Sequence, residues 1–317
     1  MLRGSVRRYG RTSPKTFALV LLGGILTSAC GNGAPLKSTT SASSTETQSS
    51  GVIKGSGPVD VLYAGSLVGA VTKVIGPAFD RATGFTLEGL PGGASALANE
   101  IKDRIEVSDV FISASPKVDA TLEGSANGNW VNWYLYLGKA PLLIGYNPNS
   151  TFATQLKKRP WYRVMAERGF LLGRTDPKLD PKGVLTIKLV EEEAAKLHDP
   201  GLVTQILGST ENPAQVFPEE TLVSRLEAGQ LDAGFFYSNE AALAKIPTIS
   251  TGIDLGATFT VALVKGAPHM RGAESFIKYL YSKEGQSLLK KVGLTLVAPK
   301  LSGSIDRVPP LLRPIIK

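Results

Sequence analysis

From residue 59 onward, apolar and polar positions alternate between two rhythms. Short apolar runs end in clusters of small residues, and stretches with apolar positions three or four apart follow them. Residues 59–63, apolar apart from Asp60, predict a buried strand behind Gly57-Pro58. Ala64, Gly65 and Ser66 form a turn, and Leu67, Val68, Val71, Val74, Ile75 and Phe79 mark one face of a helix. The pattern repeats with a strand over 85–90, a Pro91-Gly-Gly-Ala-Ser95 turn and a helix from about Ala96 through Ile101 and Ile105. Further strands are predicted over 108–114, 137–146, 231–237 and 259–264. A helical pair carrying Phe276, Ile277 and Leu280, then Leu288 and Leu289, closes at Gly293. Strand–helix alternation of this kind predicts an α/β fold with largely parallel sheets.

Two of the turns carry the first candidate chemistry. A helix that opens straight from a strand leaves bare N–H groups pointing outward, with about half a positive charge from the aligned peptides. Ser66 adds a hydroxyl to one such start and Ser95, beside Ala94, to the next, which suits an anion. The alternative for Ser66 is a plain helix N-cap. Ligands of open α/β sheets gather at the carboxyl ends of strands, where both turns fall.

Three later stretches offer carboxylates and a phenol. The segment 170–183 holds two Asp-Pro steps, at Asp176 and Asp180, each pushed toward an extended backbone; a rigid turn with capping aspartates is the alternative. Glu219 and Glu220 follow Pro218 at a helix start, where acidic residues also complement the dipole. Tyr237 ends a strand, a place core tyrosines also occupy. Glu191, Glu192 and Glu193 read as a solvated helix face.

Composition changes the picture mainly at the amino end. The chain has 317 residues, 43% hydrophobic and 20% charged, enough for a real core in one or two domains. Residues 1–29 hold Arg3, Arg7, Arg8, Arg11 and Lys15, an apolar run over 17–26 and a small-residue end at Thr27-Ser-Ala. This predicts a secretory signal, too short to span a membrane. Arg7-Arg8 fits twin-arginine export poorly, so the general secretory route is expected. Cys30 is the single cysteine of the chain, so no internal disulfide forms. Its setting resembles a bacterial lipobox, which implies cleavage before Cys30 and lipid attachment to it, placing the protein on the extracytoplasmic face of the cell membrane. Residues 30–57, rich in Ser, Thr and Gly, are expected to be a flexible tether. The formal net charge is +8; without the five basic residues of the signal it is +3. A balance that mild argues against nucleic acid as a partner.

Catalytic signatures are missing from the sequence. His198 and His269, the two histidines, show no triad signature, and Gly92-Gly-Ala-Ser-Ala96 fails the nucleophile-elbow pattern. There is no P-loop, HExxH or cysteine metal site. Hydroxyl-bearing helix starts without a base favour binding an anion over transforming one, so no enzyme is expected.

Four segments together resemble the molybdate/tungstate-binding lipoproteins of ABC importers. They are Tyr63-Ala-Gly-Ser-Leu67, Ser108-Asp-Val-Phe-Ile-Ser-Ala114, residues 173–183 and residues 226–237. Residues 273–286 resemble the closing helix of type II periplasmic binding proteins more generally. The resemblance covers about 59–301 and implies a two-lobed type II periplasmic-binding-protein fold with a ligand cleft between lobes. Lobe 1 would comprise 58–137 plus 255–317, and lobe 2 would comprise 138–254. It implies ligand contacts at Ser66, Ala94 and Ser95 from the first lobe, and at Asp180, Glu219 and Tyr237 from the second. The second turn departs from the usual Gly-Ser or Ser-Ser, with Ala94 at the matching place and Ser95 one step on. The strand before Tyr237 also lacks the acidic residue often found there. Partners implied are the oxyanion, the permease subunits and the membrane, with a monomeric protein and no cofactor beyond the ligand.

A carboxylate beside a dianion is repelled, by roughly 4 kcal/mol at close range with an effective dielectric near 20. Three escapes are open: the carboxylate is protonated, it accepts a hydrogen bond from a protonated anion such as hydrogen phosphate, or it binds the metal, since Mo(VI) and W(VI) are hard centres that accept oxygen ligands. The resemblance implies the third, because some of that family expand the oxyanion from four oxygens to six this way, and Asp180 and Glu219 are expected to do so here. The competing readings are a sulfate or phosphate receptor, a serine-dependent lipoprotein hydrolase and a purely structural lipoprotein.

Overall fold

The computed structural model describes residues 52–316. Cys30, the signal and most of the expected tether lie outside the described residues. The tether's last residues are already docked: Ser275 Oγ donates to the Ile53 carbonyl at 2.6 Å, and Gly55 N to the Thr83 carbonyl at 3.0 Å.

Among the described residues, ten strands form one mixed sheet. They are β1 (Gly57–Ala64), β2 (Phe85–Gly92), β3 (Val110–Ser113), β4 (Val131–Tyr146), β5 (Leu172–Gly173), β6 (Ala233–Tyr237), β7 (Thr248–Ser250), β8 (Gly256–Val264), β9 (Thr295–Leu296) and β10 (Leu301–Gly303). The principal order is β2-β1-β3-β8-β4-β6-β5, with β7, β9 and β10 also paired to β4. The expectation of largely parallel sheets needs correction. Only β1–β2, β1–β3 and β5–β6 are parallel, and the other six pairings are antiparallel. Strand–helix alternation does set the parallel pairs, but β4 and β8 run against their neighbours, and period alone carries no strand direction.

Strand β4 joins the two lobes. Residues 131–141 pair with β8, and residues 142–146 pair with β6. The chain enters the second lobe along β4 and returns through β8, whose Gly256 lies opposite Pro141. The core of the first lobe packs Phe79 edge-on against Phe276 and Tyr279, with ring centroids 5.1 and 5.7 Å apart. In the second lobe a small apolar cluster of Leu222, Leu226, Leu231, Phe236 and Ala241 lies under the turn that carries Glu219.

The first predicted helix is more complex than one α-helix. A 3-10 turn (Gly65–Leu67) leads through Val68–Ala70 to a π-wound stretch, Val71–Ile75, and then the α-helix Gly76–Thr83. Pro77 has no N–H to give the Lys73 carbonyl, and the wider π turn makes room for its ring.

Candidate functional site

The first lobe contributes the turn after β1. Ser66 is buried, its Oγ has no hydrogen-bond partner, and no side-chain cap bond forms at this helix start. The plain N-cap alternative therefore does not describe Ser66. Gly65 lets the second lobe approach closely. A Cβ there would lie 2.5 Å from Glu219 Oε2 and 3.1 Å from the Glu220 nitrogen.

The second lobe contributes the double Asp-Pro loop. Asp180 caps the helix Pro181–Leu197, its Oδ1 accepting from Lys182 N at 2.8 Å and from Thr175 Oγ1 at 3.0 Å. Its Oδ2 reaches across to the first lobe, where Ala94 N donates to it at 3.4 Å. The Leu179 carbonyl accepts from Ala96 N at 3.0 Å, so the loop sits on the start of the helix Ala94–Lys102. Gly183 permits the loop to fold back, since a Cβ would stand 2.6 Å from Pro177 N and the Thr175 carbonyl. Asp176 instead caps its own turn, accepting from Lys178 N at 2.8 Å.

Glu219 opens the 3-10 turn Glu219–Thr221 behind Pro218. It is buried, although glutamates in a first helical turn usually sit in solvent. Tyr237, at the end of β6 opposite Leu142, is buried with its hydroxyl unpartnered.

At the centre lies Lys182, fully buried. Its Nζ is 2.5 Å from Glu219 Oε1 and 2.9 and 2.8 Å from the two oxygens of Glu240. Glu240 Oε2 also accepts from Tyr237 N at 2.8 Å. Neither oxygen of Glu219 accepts a hydrogen bond: Oε1 is held by the ion pair with Lys182 alone, and Oε2 has no partner. A further side chain, Asn239, spans the lobes: its Nδ2 donates to the Ser66 carbonyl at 2.8 Å, while its Oδ1 is buried without a partner.

Titration follows from this crowding. Burial pushes the carboxyls of Asp180 and Glu219 above the usual range; Lys182 pulls both back in part. Burial also raises the Tyr237 phenol, with Asp180, Glu219 and Glu240 adding to the effect. Burial alone would lower Lys182, but Glu219, Glu240 and Asp180 together hold it above its ordinary value.

The structure thus brings Ser66, Asp180, Glu219 and Tyr237 into one region, with Ala94 joined to it through its N–H. Ser95 goes elsewhere. It lines a separate groove of about 450 Å³ with Asn99, Lys102, Ser115, Lys117 and Lys178. A groove of about 380 Å³, bordered by Gly92, Gly93, Thr175, Asp180 and Glu219, runs from solvent to the carboxylates. Sequence reasoning missed Lys182, Glu240 and Asn239. The one available signal was a lysine directly after Asp180-Pro181, an uncommon residue for a buried helix start. It also left His269 without partners, whereas Nδ1 lies 3.1 Å from Asp109 Oδ2 and 3.2 Å from Asp60 Oδ2. This pairing sits near the beginnings of β1 and β3, at the opposite end of the strands from Ser66.

This architecture, two lobes meeting over a buried polar cleft, is that of type II periplasmic binding proteins. The chain belongs to the bacterial extracellular solute-binding protein family, whose profile matches residues 59–295. Among relatives, an uncharacterized solute-binding protein of Petrotoga mobilis is 22% identical over 294 residues, covering 82% of this chain and 90% of its own. A putative ABC transporter molybdenum-binding protein of Haloferax volcanii is 30% identical over 191 residues, 60% of this chain and 58% of its own. The molybdate/tungstate-binding protein WtpA of Pyrococcus abyssi is 22% identical over 223 residues, 55% of this chain and 65% of its own. In structure, the periplasmic molybdate-binding protein of Azotobacter vinelandii superposes with a TM-score of 0.57 at 18% identity, covering 75% of this chain and 99% of its own. The sulfate-binding protein SubI of Mycobacterium tuberculosis gives 0.57 at 14% identity, over 76% and 86%.

Proposed function

We propose that the protein is an extracytoplasmic solute-binding lipoprotein that captures molybdate or tungstate and delivers it to an ABC permease, without transforming it. One observation carries the reading. Ser66 Oγ from one lobe, and Tyr237 Oη, Glu219 Oε2 and Asn239 Oδ1 from the other, are all buried and unpartnered around the same cleft. An unsatisfied buried polar atom costs about 1–3 kcal/mol, so four of them in one region is the pattern of a site built for a polar ligand. Hydroxyls donate to the oxo groups, and Glu219 and Asp180 supply oxygens to the metal itself. The molybdenum- and tungstate-binding names of the relatives from Haloferax and Pyrococcus point the same way.

A thermal-shift panel with molybdate, tungstate, sulfate, phosphate and vanadate tests the reading. A ligand at 100 times its dissociation constant adds about 2.7 kcal/mol to stability. Molybdate and tungstate should raise the melting temperature most; a protein indifferent to both refutes the proposal. A second reading, sulfate or phosphate, is favoured by the raised Asp180 and Glu219 carboxyls, because a protonated carboxyl donates a hydrogen bond to a tetrahedral anion. The same panel separates the two. For the lipid anchor at Cys30, the mass of the protein extracted from membranes should show a diacylglyceryl addition.

A further inference from the structure

Lys182 has no obvious reason to be where it is. A buried ammonium is costly, and it sits beside carboxylates in a site read as one for an anion. Its charged neighbours are carboxylates rather than an open face toward that anion. An ammonium has three N–H donors. Here three carboxylate oxygens face it: Glu240 Oε1 at 2.9 Å, Glu240 Oε2 at 2.8 Å and Glu219 Oε1 at 2.5 Å. Glu240 is held in turn by Tyr237 N, and the lysine Nζ lies 5.6 Å and 5.3 Å from the ring centroids of Phe236 and Tyr237. The ammonium is thus committed to two carboxylates, hydrogen-bonded to Glu240 and ion-paired with Glu219, and its outlet toward the cleft is Glu219.

We infer that Lys182 is a positioning residue that makes the site selective. Anchored on Glu240, it pins one oxygen of Glu219 and so presents the other, Oε2, across the cleft to the Gly65–Ser66 turn. This deepens the reading above and rests on it. The consequence is discrimination. Where Glu219 is ionised, a tetrahedral anion that accepts no further ligand meets a carboxylate oxygen held in place and is repelled by it. An oxo-metal anion that takes a carboxylate oxygen converts the same Glu219 Oε2 from a repulsive group into a bond. Pinning Glu219 fixes that choice in advance, because the side chain cannot swing away to admit sulfate.

The test uses the full chain and two variants, Lys182→Met and Glu240→Gln, with tungstate and sulfate calorimetry and molybdenum K-edge absorption of the molybdate-loaded protein. The parent should show molybdenum with more than four oxygens and strong preference for tungstate. Lys182→Met should return a tetrahedral molybdate spectrum and lose about tenfold or more in tungstate affinity, while sulfate changes by less than about threefold. Glu240→Gln keeps the lysine and the acceptor for Tyr237 N but loosens the anchor, and should fall between the two. A Lys182→Met protein with the parent's spectrum and preference overturns the inference. Equal loss of tungstate and sulfate also overturns it, because a merely structural lysine has that effect. If Lys182→Met does not fold, Glu240→Gln decides: parent-like discrimination there overturns the inference. A parent that takes no molybdate refutes the functional reading itself, and this control keeps the two failures apart.

Discussion

Asn239 Nδ2 donates to the carbonyl of Ser66 at 2.8 Å, joining residues 173 positions apart in sequence and on opposite lobes. The bond fixes the backbone of the very turn whose hydroxyl faces the cleft. Replacing Asn239 with Leu removes the donor and leaves the Ser66 carbonyl buried without it. We expect ligand affinity to fall by about tenfold, mostly through faster release, since a bond between closed lobes must break for release. Stopped-flow dissociation on the variant checks this, and an unchanged off-rate contradicts it.

Gly65 sets how near the lobes come. Gly65→Ala places a methyl 2.5 Å from Glu219 Oε2, and the Lys182 pair keeps that carboxylate from moving aside. The expected result is weak ligand binding in a protein whose melting temperature without ligand stays within about 3 °C of the parent, because the strain falls on closure rather than on either core. Small-angle scattering with and without tungstate should show compaction for the parent and none for the variant.

Asp180→Ala and Glu219→Ala test direct ligation. Each should cost the tungstate affinity at least about 2 kcal/mol, as removal of a metal-bound oxygen does far more than loss of a surface contact. Calorimetry at one pH gives the answer. Two variants that bind as tightly as the parent exclude the carboxylates from the metal's shell. Asp180→Ala also removes the cap of a long helix, so its melting temperature should drop, whereas Glu219→Ala relieves a buried charge and should cost less.

Away from the cleft, Asp119 is fully buried on the helix Pro116–Ala120 and accepts a short hydrogen bond from Thr260 Oγ1 at 2.5 Å. Burial pushes its carboxyl from 3.8 up to about 8, the Thr260 bond opposing the shift. A group raised in the folded state contributes its full stability below its unfolded pKa and loses it as pH rises through the folded one. The relevant window therefore runs from about pH 4 to about pH 8. The parent should lose up to about 5 kcal/mol across it from this residue, and Asp119→Asn should not. Melting curves at pH 5 and pH 9 should show the variant gaining on the parent by several degrees; a constant difference contradicts the buried proton.

The turns were legible in the sequence because their requirements are local. Gly65-Ser66 and Asp180-Pro181 announce a close approach and a fixed backbone within two residues, and the structure uses them so. Ser95 lines another groove because one step along a helix start turns a side chain aside, and spacing to the partner lobe is not written in the motif. Lys182, Glu240 and Asn239 were invisible for a related reason. A lysine beside a proline and a Ser-Asn-Glu helix start look solvent-facing until the lobes are put together. The direction of β4 and β8 was equally hidden, since an apolar run reads the same both ways.

Strand β4 has a further consequence, for the order of assembly. Its partners β8, β9 and β10 come from residues 256–303, more than 100 positions downstream. During synthesis the hydrogen-bonding edge of β4 stays uncovered until nearly the whole polypeptide has emerged. Such a high contact order makes folding slow. Slowness of this kind prolongs the time in which the unpaired edge of β4 is open to pairing with another chain.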